Sequence, residues 1–272
     1  MAIKETKNEP KDLVEPVPEE LEKVEPVLTR EEAIGVAEPQ QSRGRRPRRD
    51  PREETRAAVA SWVPKTKLGK LIKEGKEKDI DKILQNDKKI LESEIVDSLL
   101  VLETDLILIG QAKGKFGGGK RRAWRQTQKK TKEGNVLSFS AMAVVGDKNG
   151  HIGLGFGRAR ETLPAREKAL RNAKLSIMKI ERGFESPEVE QTKDDPHTVP
   201  FKVEGKTGSV RITFWPAPRG TGLVTADECK KILRLAGVKD VYSKTIGKTR
   251  TTFNLAKACI DALTKTTKME LK

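Results

Sequence analysis

The sequence predicts an α+β fold made of two consecutive blocks, each with a small sheet and packed helices. Within residues 104–183, three stretches alternate in hydrophobicity as strands do, and an amphipathic helical stretch follows them. Residues 198–272 show the same two periodicities in the order strand, strand, helix, strand, helix. The residues between the blocks, 184–197, are polar and contain two prolines, which is typical of a linker.

An N-terminal extension, residues 1–56, is acidic first and arginine-rich afterwards. Residues 1–41 are rich in Glu, Pro and Val and show no helical or strand period, which predicts a disordered tail. The charge then changes sign, and the candidate RNA-binding residues here are Arg43, Arg45, Arg46, Arg48 and Arg49. Glycine and prolines interrupt this stretch, so we expect an extended arm that orders on RNA. A solvated linker is the alternative.

Residues 57–103 predict a helical lead-in to the first block. Apolar residues recur at helical spacing at Leu68, Leu71 and Ile72, and the spacing continues at Ile80 and Ile83. We expect these side chains to form core contacts.

The first block begins with an apolar run, Leu106–Gly110, that is consistent with a strand. A basic, glycine-rich loop is predicted at residues 111–132. Residues 137–145 alternate like a strand, and the Asn-Gly pair in 146–150 indicates a hairpin.

Three glycines lie on one face of the strand that returns from this hairpin. They are Gly153, Gly155 and Gly157, and such a pattern predicts that another backbone comes very close. A helix with Pro164 in its first turn follows. Its predicted apolar stripe is Ala165, Ala169, Ala173, Ile177 and Ile180.

The second block predicts strands at 199–203 and 210–214, followed by a helix that ends near Leu235. Thr225 and Glu228 match a capping box for that helix, and Gly237 suits its C-terminal cap. A short strand near Val241 and a final helix with an apolar stripe complete the block.

The charge of the chain predicts a polyanionic partner. There are 55 Lys and Arg against 40 Asp and Glu, for a net charge of +15, and clustered cations gain binding energy by releasing counterions from nucleic acid. An ordinary basic protein is the alternative. The sequence contains no run of 18 apolar residues, so we expect no membrane-spanning helix. Its acidic N-terminus lacks the apolar core of a secretory signal peptide. We therefore expect a cytoplasmic protein.

The basic loop holds the sharpest functional pattern, since cations and two aromatic residues occur there without acids. Its candidate RNA-binding residues are Lys113, Lys115, Phe116, Lys120, Arg121, Arg122, Trp124, Arg125, Lys129 and Lys130. The cations would neutralise phosphates, while Trp124 or Phe116 would stack on an unpaired base. The alternative is a solvated charged surface.

Enzymatic patterns are weak throughout. Residues 114–120 approach a phosphate-binding loop, but Arg121 stands where that motif needs Ser or Thr for Mg²⁺. Two cysteines and two isolated histidines offer neither a metal site nor a catalytic pair. We therefore expect no catalysis, no cofactor, no metal and no small-molecule substrate. A free RNA chaperone and a phosphotransferase remain as rival hypotheses.

Three segments give the chain a family resemblance. Residues 139–161 (FSAMAVVGDKNGHIGLGFGRARE), 216–226 (PAPRGTGLVTA) and 233–241 (LRLAGVKDV) resemble motifs of small-subunit ribosomal protein five. The segments WVPKTKLG at 62–69 and HTVP at 197–200 resemble the archaeal and eukaryotic branch and favour an archaeal member. The resemblance extends over about residues 57–267.

The resemblance implies a fold and a role. The first block should be similar to a double-stranded-RNA-binding domain with a three-stranded antiparallel sheet, and the second to a βαβα unit with a left-handed crossover. The family is a structural constituent of the small subunit. It binds ribosomal RNA near the head–body junction and the mRNA entrance, and it contributes to subunit assembly and translational accuracy.

The resemblance also implies partners beyond the RNA itself. These are mRNA and ribosomal proteins four and eight, with no membrane. The residues it places at a protein interface are Gly220, Thr221, Gly222 and Lys230.

Overall fold

Three short helices lie between residues 62 and 102, in the described part of the chain before the first sheet. The computed structural model describes residues 59–86, 88–112, 121–185 and 195–268, and the helices are α1 (Lys67–Lys73), α2 (Ile80–Gln85) and α3 (Ser93–Leu99). The Glu92 carboxylate joins the start of α1 to α3, because it accepts hydrogen bonds from Trp62 Nε1 at 2.8 Å and from the Thr66 backbone nitrogen at 2.7 Å. Ile83, Ile95 and Val96 are buried between the helices. These helices lie within the predicted helical lead-in, whose bounds at 57 and 103 stay a prediction.

The first sheet is antiparallel and centres on one long strand. Its strands are β1 (Glu103–Leu106), β2 (Trp124–Thr131), β3 (Gly134–Gly146), β4 (His151–Ala159) and β5 (Ile177–Lys179). Strands β2 and β1 pair with successive halves of the same edge of β3, while β4 pairs with its other edge. The expected three-stranded antiparallel arrangement is confirmed, with β5 added beyond β4.

Two predictions for this sheet were wrong in their boundaries. The strand placed at Leu106–Gly110 begins earlier, at Glu103, and ends at Leu106. Residues 124–131, predicted as part of a flexible loop, form β2. This strand lies at an edge and is exposed or half-buried along its length, so its sequence has no apolar alternation that could reveal it.

The glycine face of β4 lies directly against helix α4 (Thr162–Leu175). A Cβ atom on Gly153, Gly155 or Gly157 would lie 2.1–2.2 Å from a backbone oxygen of Ala173, Ala169 or Ala165, respectively. The predicted close approach of a backbone is therefore confirmed. The predicted apolar stripe of this helix was too long, however. Helix α4 ends at Leu175, so Ile177 lies in β5 and Ile180 follows that strand.

The hairpin between β3 and β4 is a four-residue turn. The Asp147 carboxylate accepts hydrogen bonds from the backbone nitrogens of Asn149 at 2.7 Å and His151 at 3.0 Å. Lys148 and Gly150 have φ angles of 64° and 103°. The Asn-Gly pattern predicted the turn correctly.

A charged cluster ties α2 to this hairpin. His151 Nδ1 lies 2.6 Å from Asp147 Oδ2, and its Nε2 lies 2.8 Å from Asp81 Oδ1 on α2. Lys179 of β5 donates to the other oxygen of Asp81 at 2.9 Å. The hydrogen bond to Asp147, together with that to Asp81, raises the pKa of His151 above its usual 6.5, although burial opposes this. Mainly through Lys179, the pKa of Asp81 is lowered.

We expect this cluster to make stability depend on pH in a defined direction. A histidine with a raised pKa stabilises the folded state fully below about pH 6.5 and ceases to do so as pH rises through the folded pKa. The loss of unfolding free energy caused by His151→Gln should therefore be larger at about pH 6 than at about pH 9. Urea unfolding of both chains at the two pH values measures this. An equal loss at both would show that His151 is neutral in the folded chain.

The second sheet has four strands and two helices. They are β6 (Val203–Thr207), β7 (Val210–Trp215), β8 (Leu223–Val224), α5 (Asp227–Ala236), β9 (Val241–Ile246) and α6 (Thr252–Lys268). The strand order is β6-β7-β9-β8, and only the β8–β9 pair among these is parallel. The order β8-α5-β9-α6 is the expected βαβα unit, and the β6–β7 hairpin precedes it. The left-handed crossover stays a prediction.

Two local predictions for this block were wrong. Val199 and Phe201 precede the first strand, which begins at Val203. The capping box does not form, because α5 has Ala226 at its N-cap position and no side-chain cap there. Glu228 instead accepts a hydrogen bond from the Leu108 backbone nitrogen at 3.0 Å, and burial raises its pKa. Gly237, with a φ of 85°, caps the helix as predicted.

One apolar core connects the two sheets. Met142, Val144 and Ile152 from the first sheet belong to the same cluster of buried side chains as Phe214 and Leu233 from the second block. The described residues between 59 and 268 accordingly belong to a single compact unit. The boundaries drawn at residues 57–103, 104–183, 184–197 and 198–272 stay predictions, and the 1–56 extension lies outside the described residues.

Candidate nucleic-acid interface

Strand β2 presents its polar side chains along an open edge of the first sheet. It pairs with β3 from Trp124 opposite Ala141 to Thr131 opposite Gly134. Because successive side chains alternate between faces, Arg125 and Lys129 share one face and Lys130 lies on the other. All three cations are exposed. These three cations were predicted to lie on a flexible loop. Their backbone instead belongs to a paired strand, which fixes their spacing along the edge of the sheet.

A groove beside β2 is lined by four arginines. It has a volume of about 900 Å³, and its walls come from residues 109–112, 121–122 and 124–128 together with Arg250. The arginines are Arg121, Arg122, Arg125 and Arg250, and none of the described lining residues is an Asp or Glu. We call this feature the arginine groove. A concave surface lined by one sign of charge concentrates its field and attracts polyanions.

The arginines of the groove are not neutralised by neighbouring acids. Within residues 59–268, excluding the stretches that the structure does not describe, no ion pair involves any of the four. Burial raises the pKa of Glu228, while the positive charges of Lys231 and Arg121 lower it. Arg121 therefore has an electrostatic interaction with Glu228, although the two do not form an ion pair. The groove therefore keeps nearly its full positive charge available for a partner.

A cationic row continues from the groove across the sheet. Ser140 of β3 lies opposite Arg125 on one side and opposite Arg158 of β4 on the other. Arg158 Nε donates to Ser138 Oγ at 2.6 Å, which directs its guanidinium along this face. Arg158 extends the positive surface beyond the residues that the sequence had singled out.

The structure groups some of the predicted RNA-binding residues and leaves others apart. Arg121, Arg122, Trp124 and Arg125 line the arginine groove, while Lys129 and Lys130 lie further along β2. Nine other candidates lie outside the described residues: Arg43, Arg45, Arg46, Arg48, Arg49, Lys113, Lys115, Phe116 and Lys120. Sequence reasoning missed Arg250, because 125 positions separate it from Arg125 and no local motif marks it.

The predicted protein-interface residues lie in a turn and along an adjacent groove, where Gly220 is exposed and the other three are half-buried. Gly220 and Gly222 have φ angles of 85° and 71°, and the Gly222 backbone nitrogen donates to Asp240 Oδ1 at 2.7 Å. The Thr221 nitrogen closes the turn on the Pro218 oxygen at 3.3 Å. Lys230, on α5, lines a groove of about 720 Å³ that Gly222 also borders. The structure thus brings Gly222 and Lys230 together.

Metal ions and membranes are two other possible partners of a protein surface. Among the described residues, no group of three or more His, Cys, Asp or Glu side chains is arranged to hold a metal ion. In the same part of the chain, no helix has the length and apolar character that crossing a bilayer requires.

Fold and interface together define a basic, two-sheet α+β protein with a preformed cationic groove. Family models agree with this description: ribosomal protein S5, N-terminal domain, matches residues 123–181, and ribosomal protein S5, C-terminal domain, matches residues 205–271. The chain belongs to the ribosomal protein S5 family.

Curated relatives cover most of the chain. The protein named small ribosomal subunit protein uS5 from Nanoarchaeum equitans is 50% identical over 208 residues, which is 76% of this chain and 88% of that protein. Its namesake from Aeropyrum pernix is 44% identical over 79% of this chain and 91% of its own length. The protein of the same name from Thermofilum pendens is 43% identical over 75% of this chain and 94% of its own length. The family is structural and not enzymatic, so the phosphotransferase hypothesis is excluded.

Proposed function

We propose that this chain is a structural constituent of the small ribosomal subunit and that it binds ribosomal RNA through the arginine groove and β2. The names of the relatives support the place in the subunit. The single observation that supports the RNA contact is a groove of about 900 Å³ whose described lining contains four arginines and no acid.

The arrangement suits RNA for a physical reason. Each arginine that meets a phosphate releases condensed counterions, which provides affinity without reading sequence. The backbone that carries these cations is ordered before RNA arrives, partly in an edge strand and partly in a turn, so binding does not have to order that backbone. The half-buried Trp124 at the groove adds an aromatic surface for an unpaired base.

The finer parts of the proposal concern place and partners. The RNA is bound near the head–body junction and the mRNA entrance, with mRNA and ribosomal proteins four and eight as neighbours. There the protein contributes to subunit assembly and translational accuracy. The turn at Gly220–Gly222 and Lys230 faces a protein neighbour. The arginine-rich arm and the loop residues Lys113 to Lys120 add phosphate contacts to those of the groove.

Salt dependence tests the RNA contact. The logarithm of the affinity of the full chain for purified small-subunit ribosomal RNA should fall linearly with the logarithm of salt, with a slope of about 0.7–0.9 per phosphate contacted. Filter binding between about 0.05 and 0.3 M KCl measures this slope. An affinity that does not change with salt would contradict the electrostatic contact.

Sedimentation tests the place in the subunit. On sucrose gradients of a cell lysate, the chain should co-migrate with small subunits at moderate and at high salt. A chain that stays near the top of the gradient even at moderate salt would favour the free RNA chaperone instead.

A further inference from the structure

The second sheet has one face covered by helices and one face open to solvent. On the covered face, Ile212 and Phe214 are fully buried beneath α5 and α6, and a Cβ on Gly205 would lie 2.0 Å from the Ala258 oxygen of α6. The residues between these along each strand point the other way. The open face therefore consists of alternate residues of β6, β7, β9 and β8.

The register of the sheet places two aromatic residues side by side on the open face. Trp215 of β7 lies opposite Tyr242 of β9, and Tyr242 lies beside Val224 of β8. Tyr242 is 42% exposed and Val224 is 49% exposed, while Trp215 is half-buried. The Lys202 ammonium lies 5.6 Å from the centre of the Trp215 ring. A row of flat apolar side chains thus faces outward, with a cation at one end.

The next two rows of the same face together hold three cations and one acid, a net charge of +2. Thr213 separates Glu204 from Lys244, and Arg211 separates Lys206 from Ile246. We call the three rows and Lys202 the open sheet face. Its exposed charged residues are four cations, Lys202, Lys206, Arg211 and Lys244, and one acid, Glu204. This excess of cations around the aromatic row complements a polyanion.

We propose that the open sheet face binds an unpaired segment of RNA, with bases stacked on Tyr242 and Trp215 and phosphates beside Lys202, Lys244 and Arg211. Aromatic rings on a β-sheet can stack on the flat faces of bases only where the RNA is single-stranded, because in an RNA double helix those faces are covered by the neighbouring base pairs. A protein that covered this face would have to desolvate four cations against one acid. The inference rests on the proposed RNA-binding role but uses a different surface from the arginine groove.

Affinity measurements with matched RNAs test the stacking. For a uridine-rich single-stranded oligonucleotide, Tyr242→Leu in the full chain should weaken binding by about fivefold or more, because one stacked base contributes roughly 1–3 kcal/mol. Tyr242→Phe, which keeps the ring, should bind like the wild type. Affinity for a duplex RNA with the same number of phosphates should not change. Equal affinities of the leucine and phenylalanine variants for the single strand would overturn the proposal.

Photo-crosslinking in assembled subunits identifies the occupant. The full chain with Tyr242→p-benzoylphenylalanine is incorporated into small subunits and irradiated. A crosslink to RNA supports the proposal, whereas a crosslink only to protein, or none, overturns it.

The proposal that the arginine groove binds RNA can be tested separately from the proposal for the open sheet face. A chain with Ala at Arg121, Arg122, Arg125 and Arg250 should still show the difference between Tyr242→Leu and Tyr242→Phe. If the four-arginine change leaves RNA affinity intact while the Tyr242 difference persists, the groove proposal fails and this one stands.

Discussion

A chain with Gly155→Val is expected to lose about 3 kcal/mol or more of unfolding free energy, or to fail to fold. The new Cβ would lie 2.1 Å from the Ala169 oxygen and 2.2 Å from the Ala173 nitrogen. Both atoms belong to the backbone of α4, which cannot move away without leaving β4. Overpacking of a core commonly costs about 1–3 kcal/mol even where side chains can adjust, and here no side chain is available to adjust. Urea unfolding, or soluble yield if the chain does not fold, measures the effect.

A matched glycine separates crowding from backbone strain. Gly75 has a φ of 75°, and nothing lies within 4 Å of the position its Cβ would take. Gly75→Ala should therefore cost only about 1–2 kcal/mol, the penalty for a left-handed conformation. If Gly155→Val proved no more destabilising than Gly75→Ala, the close contact between β4 and α4 would be wrong.

A chain with Arg121, Arg122, Arg125 and Arg250 replaced by Ala is expected to bind small-subunit ribosomal RNA roughly a hundredfold more weakly at about 0.1 M salt. Up to four phosphate contacts are lost, each worth about 0.7–0.9 in the log–log slope, so the slope should fall by as much as about 3. Three of these arginines are exposed and Arg121 is half-buried, so the melting temperature should change little. Filter binding across a salt series measures both quantities.

A second variant with the same change in net charge provides the control. Lys67, Lys70, Lys78 and Lys89 are exposed on the helical lead-in, away from the arginine groove. Their replacement by Ala should reduce affinity much less than the groove variant does. Equal losses in the two variants would show that net charge, and not the groove, determines binding.

Features encoded by neighbouring residues were predictable from the sequence. The glycines of β4 have a period of two, so their shared face and the backbone against it followed from the pattern alone. The hairpin at Asn149-Gly150 and the cap at Gly237 are also local. Strand β2 was missed because a polar edge strand is stabilised by pairing with β3, and pairing leaves no mark in its own composition.

Features that depend on distant residues were beyond the sequence. The groove needs Arg250, which only the fold brings near Arg125. Glu228 matched a local capping pattern, yet its carboxylate accepts a hydrogen bond from the backbone nitrogen of Leu108, which lies 120 positions away. On the open sheet face, Trp215 and Tyr242 could be placed together only once the register of β7 against β9 was known.

The shared core has a consequence for the order in which the protein matures during synthesis. Met142 and Val144 on β3 are buried in the same cluster as Leu255 and Leu263 of α6, which are translated more than a hundred residues later. The Lys231 ammonium of α5 also donates to the Leu106 oxygen at 2.7 Å, and 125 positions separate these two residues. Until the last helix is made, the first sheet leaves an apolar surface uncovered, and such surfaces promote aggregation. A nascent chain truncated before Thr252 should therefore aggregate more readily than the finished chain, in which α6 covers this apolar surface.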